Sequence, residues 1–150
     1  MATVGNGDFT LILDEQTKQA LYAKLQGLSD FEKEETVKRG LKEGAKVIVQ
    51  QGKANYNILH KKRTGNLYKS AGISTSKRML KVWGGFKRPK GAAAHLIDKG
   101  TTERFTKKGA SRGKVTASKF WTSAFMAKKE AASKKMMDII TKTVEAIWNL

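Results

Sequence analysis

His95 and Asp98 are the residues whose types and spacing first suggest proton transfer or metal ligation. Residues 92–97 read as a short strand, and a strand directs residues three apart to opposite faces. The chain holds two histidines and no cysteine, and the second histidine, His60, lies in a different segment. A nucleophile needs a base and an orienting group, and a metal needs more ligands than this pair provides. No catalytic residue, metal site or cofactor is therefore expected. Asp98 is read as an acceptor of hydrogen bonds from backbone or from a cation. Gly100 is read as the residue whose backbone freedom lets the strand turn into the loop that follows.

The second chemistry is phosphate neutralisation. Between Gly44 and Ile97 there is no aspartate or glutamate, yet the segment holds Lys46, Lys53, Lys61, Lys62, Arg63, Lys69, Lys77, Arg78, Lys81, Lys87, Arg88 and Lys90. Further along, Arg104, Lys107, Lys108, Arg112 and Lys114 stand against one acid, Glu103, within residues 101–117. The net charge of +17 exceeds what solubility requires. Charge runs are commonly solvated surface. The other use is contact with DNA phosphates or an acidic neighbouring subunit, with Lys61, Lys62, Arg63, Lys87, Arg88 and the five cations after Thr101 as the candidates. Such contacts release counterions and carry no base information. Trp83 and Phe86 lie among the cations; strand spacing assigns them to the core, and stacking on single-stranded bases is the alternative.

The elements that must position these groups follow from patterning. Phe9, Leu11 and Leu13 alternate as a strand. Asp14 caps a helix carrying Leu21, Leu25 and Leu28. Ser29 and Glu32 have capping-box spacing, so a second helix starts near Asp30 and runs to about Asn55. Gly40 and Gly44 weaken it by roughly 1 kcal/mol each relative to alanine, which implies close packing against a neighbour. Thr64-Gly65 opens a short helix through Ser70, with Thr64 as its cap. Residues 73–75 and 80–86 read as strands joined near residues 76–78, with Gly84-Gly85 marking a bulge. Residues 92–97 add a third strand. Residues 101–117 form a long flexible basic loop. Ser118 caps the last helix, where Trp121, Phe125, Ala132, Met136, Ile139, Ile140, Val144 and Ile147 make an apolar stripe. The expected fold is a single α+β domain over residues 1–150. A small antiparallel β-meander packs against two N-terminal helices and a long C-terminal helix. With 39% hydrophobic and 29% charged residues, the chain suits a globular fold. No signal peptide or transmembrane segment is expected.

Three segments carry a resemblance: TGNLYKS (residues 64–70), HLIDKGT (residues 95–101) and FWTSAF (residues 120–125). In this order they resemble the tail-completion, or neck, protein family of long-tailed bacteriophages. Thr64, Gly65, Leu67 and Ser70 match the first family segment. His95, Gly100 and Thr101 match the second, with Asp98 where the family has glutamate. Phe120 and Ala124 match the third. Ala93 replaces an aromatic, Lys99 stands where an apolar residue is common, and no proline precedes Phe120, so the resemblance is to a divergent member.

The resemblance implies a structural virion protein without catalytic chemistry. It would form a homo-oligomeric ring, sixfold like the tail, at the head–tail junction, after assembly in the host cytoplasm. Its implied partners are portal-side head-completion proteins, tail-tube or tail-terminator proteins, and double-stranded DNA passing non-specifically through the lumen; no membrane is involved. The basic loop would reach into that lumen or over a neighbour and order on assembly. Trp148, close to the C-terminal end of the sequence, is the candidate for docking on another subunit. The alternative is a small basic nucleic-acid-binding protein without sequence specificity.

Overall fold

Helix starts follow local capping chemistry. The computed structural model describes residues 2–4, 9–60, 65–76, 78 and 80–149. Asp14 accepts the Thr17 N–H at 2.7 Å and begins α1 (Glu15–Lys24). Ser29 and Glu32 form the expected reciprocal capping box at the start of α2 (Asp30–Leu59). Thirty residues at 1.5 Å rise make α2 about 45 Å long. The last helix, α5 (Phe120–Trp148), runs antiparallel to it, so that Gly52 meets Trp121, Gly44 meets Ala132 and Gly40 meets Met136. The close packing expected of Gly40 and Gly44 is present. A Cβ at Gly44 would lie 2.8 Å from the Ala132 carbonyl oxygen. Gly52 does the same for a ring: a methyl there would occupy the Trp121 indole.

Among the described residues, four strands form one antiparallel sheet in the order β1-β2-β4-β3. They are β1 (Ala2–Val4), β2 (Phe9–Ile12), β3 (Ala71–Thr75) and β4 (Lys81–Phe86). The β3–β4 hairpin expected from the sequence is present, and Ser76 N–H donates to the Lys81 carbonyl at its turn. No bulge interrupts β4: Gly84 pairs in register with both Phe9 and Ile73. Its missing side chain instead makes room for the Phe9 ring, which lies where a Cβ would be.

Residues 92–97 are not the third strand of a meander. They belong to a turn followed by α4 (Ala94–Lys99), and the sheet position falls to the N-terminal β2. The run Ala92-Ala93-Ala94 favours helix over strand on propensity, and Gly100 ends the helix with its N–H on the Leu96 carbonyl at 2.8 Å. The short α3 (Asn66–Ser70) follows Gly65, whose positive φ of 72° makes glycine the fitting N-cap residue. Thr64, expected as that cap, lies outside the described residues.

The core sits where the inner sheet face meets α2 and α5. Phe9, Phe120, Trp121 and Phe125 are buried there, and Phe86 packs on Trp121 with ring centroids 4.6 Å apart. Tyr56 and His60 close this aromatic cluster against Phe120. The side-chain period of two then places Trp83 on the opposite, outer face of the sheet. Trp83 is 36% exposed, so its assignment to the core is corrected, whereas Phe86 is part of it. No helix among the described residues is long and apolar enough to cross a membrane.

Candidate nucleic-acid interface

Asp98 is 1% exposed and joins two of the three resemblance segments. Its Oδ1 accepts the N–H groups of Trp121 and Thr122 at 2.8 and 3.0 Å. Its Oδ2 accepts the Thr122 hydroxyl at 2.5 Å. A carboxylate at the start of α5 satisfies otherwise unpaired N–H groups and complements the positive end of the helix dipole. The reading of Asp98 as an acceptor from backbone is thus borne out. Ser118 does not cap α5; its hydroxyl donates to the Ile97 carbonyl at 3.0 Å. Lys119 occupies the N-cap position with φ of 56°, and its N–H donates to the Asp98 carbonyl at 2.9 Å. With α4 a helix, His95 and Asp98 lie about one turn apart, yet both carboxylate oxygens of Asp98 are engaged by α5. Among the described residues no group of three or more metal-ligating side chains exists.

From this joint the basic segment extends as a hairpin. Within the segment expected as a long loop, hydrogen bonds cross between two arms. Thr101 N–H donates to the Val115 carbonyl at 2.8 Å, and Val115 N–H donates to the Thr101 hydroxyl at 2.9 Å. Further out, Arg104 N–H donates to the Gly113 carbonyl, and Arg112 N–H donates to the Arg104 carbonyl at 2.6 Å. Near the tip, Thr106 N–H donates to the Ala110 carbonyl at 2.8 Å. At the base, a Cβ on Gly100 would lie 2.7 Å from the Ala117 nitrogen, and its φ is 74°. No other residue fits this close passage of the two arms.

The hairpin directs Arg104, Lys107, Lys108, Arg112 and Lys114 into solvent, and all five are exposed. None has an ion-pair partner among the described residues. Glu103, the one acid in the arm, accepts the Ser111 hydroxyl at 2.7 Å. Phe105 is 61% exposed between these cations, a feature that composition alone did not single out. By contrast, Lys18–Glu15, Lys33–Asp30, Lys38–Glu34 and Lys46–Glu43 pair locally on α1 and α2. Lysines on α1 and α2 thus engage nearby carboxylates, whereas the five hairpin cations have no ion-pair partner among the described residues. The arrangement suits neutralisation of a polyanion and offers no base-reading helix.

The remaining sequence candidates distribute as follows. Ser70 is buried; its hydroxyl donates to the Leu67 carbonyl and its own carbonyl accepts the Lys87 N–H. Leu67 is half-buried beside it. Ala124 is buried with Phe120 along α5. His95 is half-buried, and Lys87 and Arg88 are exposed just after β4, away in sequence from the hairpin. Lys61, Lys62 and Arg63 lie outside the described residues, as does the side chain of Trp148. No family model, curated protein or solved structure matches this chain.

Proposed function

We propose that this chain is a structural subunit of a tailed-bacteriophage virion that closes into a sixfold ring at the head–tail junction, around the DNA channel. The observation that carries this reading is the joint at Asp98. Two segments of the resemblance, residues 95–101 and 120–125, meet there, and the free cations of the hairpin spring from the same place. In this reading the hairpin is an ordered arm held out from α4 and α5. Its cations face DNA phosphates or an acidic neighbouring subunit, without base recognition. The subunit does no catalysis. Portal-side head-completion proteins and tail-tube or terminator proteins bound the ring on either side.

Native mass spectrometry and negative-stain imaging of the full chain at high concentration test the reading. Closed rings of six subunits are expected. A monomer that coats free DNA tightly and never closes overturns it in favour of a small non-specific nucleic-acid-binding protein.

A further inference from the structure

The outer face of the sheet carries an aromatic platform separate from the hairpin. Trp83 lies on β4, an inner strand of the four, so it is near the middle of that face rather than at its edge. Its cross-strand neighbours are Thr10 and Ser74, whose short side chains cannot cover an indole ring. Along β4 the same face continues with Lys81 and Gly85. The Lys81 ammonium sits 4.8 Å from the Trp83 ring centroid, a cation–π contact. The Lys87 stem crosses the same face, with its Cε 3.6 Å from where a Cβ on Gly72 would stand. Gly72 and Gly85 pair directly, leaving flat ground beside the ring.

No aspartate or glutamate occurs on β2, β3 or β4. Glu15 and Glu34 line a cleft at the Ile12 end of the sheet, together with Lys18 and Arg78. Trp83 keeps 36% of its surface in water, with the Lys81 ammonium as a polar neighbour of its ring, and exposed indole area costs free energy there. We infer that this face binds single-stranded nucleic acid, with a base stacked on Trp83 and phosphates on Lys81 and Lys87. The charge favours this occupant over an apolar protein surface: both cations flank the ring, and no carboxylate on these strands opposes a phosphate. Duplex DNA keeps its bases stacked internally and cannot use the ring, so the platform discriminates where the hairpin does not.

Fluorescence anisotropy with the full chain tests this, using labelled oligothymidylate and a duplex of matched length across a salt series. Trp83→Ala is expected to weaken single-strand binding on the order of tenfold, while duplex binding stays within about twofold because phosphate contacts persist. Lys81→Gln combined with Lys87→Gln should reduce the single-strand salt slope by roughly 0.7 per cation removed. Equal loss on both ligands, or unchanged single-strand binding, overturns the inference. So does a change of oligomeric mass in Trp83→Ala without a change in binding, which would make the face a subunit contact. If Trp83→Ala fails to fold, Trp83→Phe decides by indole emission. Oligothymidylate should quench the parent protein and not this variant; equal quenching overturns the inference.

Discussion

The Asp98 carboxylate holds the first turn of α5 through Thr122, accepting both its N–H and its hydroxyl, across 24 residues of sequence. This contact ties together the two ends of the basic hairpin, because the hairpin lies within residues 99–121, the interval between its two partners. Asp98→Ala removes the acceptor and leaves N–H groups buried without a partner. A loss of about 2–4 kcal/mol is expected in urea unfolding. Asp98→Asn keeps one carbonyl acceptor and should cost about half as much. Amide exchange at Trp121 and Thr122 should quicken in both variants. Unchanged exchange at those amides would refute the capping role.

Glycines on α2 should separate by what they face. Gly52→Ala drives a methyl into the Trp121 ring and is expected to destabilise by about 3 kcal/mol, the upper end for overpacking. Gly40→Ala meets the flexible Met136 side chain at 3.1 Å and the Met136 carbonyl oxygen at 3.2 Å, a tight fit offset by a gain in helix propensity of about 1 kcal/mol. Its net effect should therefore be within about 1 kcal/mol of zero. Thermal unfolding of the two variants side by side checks the order.

Neutralising the hairpin tests its electrostatic role without touching the core. Arg104→Gln, Lys107→Gln and Lys108→Gln together should lower the duplex salt slope by roughly 0.9 for each cation that meets a phosphate. Melting temperature should stay within a degree or two, since all three side chains are exposed. An unchanged slope would remove the hairpin from the DNA-binding surface.

Acid should weaken the N-terminal helices. The Thr17 N–H and then its hydroxyl hold Asp14 below the ordinary carboxylate range. The Ser29 hydroxyl and then its N–H do the same for Glu32, and Lys46 lowers Glu43 chiefly by a hydrogen bond. Because each folded value is depressed, the stabilisation is fully present above the unfolded values of roughly 4 to 4.5. It is lost as pH falls through the folded values. Ser29→Ala should return the Glu32 titration, followed by NMR of its side chain, towards the ordinary value. A Glu32 titration that does not move would exclude the capping box as its cause.

Local chemistry was legible from the residues alone. Asp14, Ser29 and Glu32 act within three or four positions of their partners, so the starts of α1 and α2 follow from short-range spacing. The apolar stripe of α5 and the glycines at Gly40 and Gly44 likewise announced two helices in close contact. The outward position of Trp83 was also accessible: Val82 and Phe86 share one face by the period of two, and Trp83 with Lys81 must share the other.

Contacts between distant segments were decided by the tertiary structure. Residues 92–97 have both an apolar run suited to a strand and an alanine content suited to a helix. The sheet position they might have filled is taken by β2, whose Phe9 ring fits only over a glycine at position 84. The partner of Asp98 is similarly invisible in any local pattern, because its donors lie 23 and 24 residues away. The sequence by itself determined the charge, the capped helices and the positions of the cations. Packing around Phe9 and Trp121, and the carboxylate at the start of α5, decided which strands pair and turned the basic run into a hairpin. Pairing and burial depend on which distant surfaces meet, and short-range spacing carries no information about that.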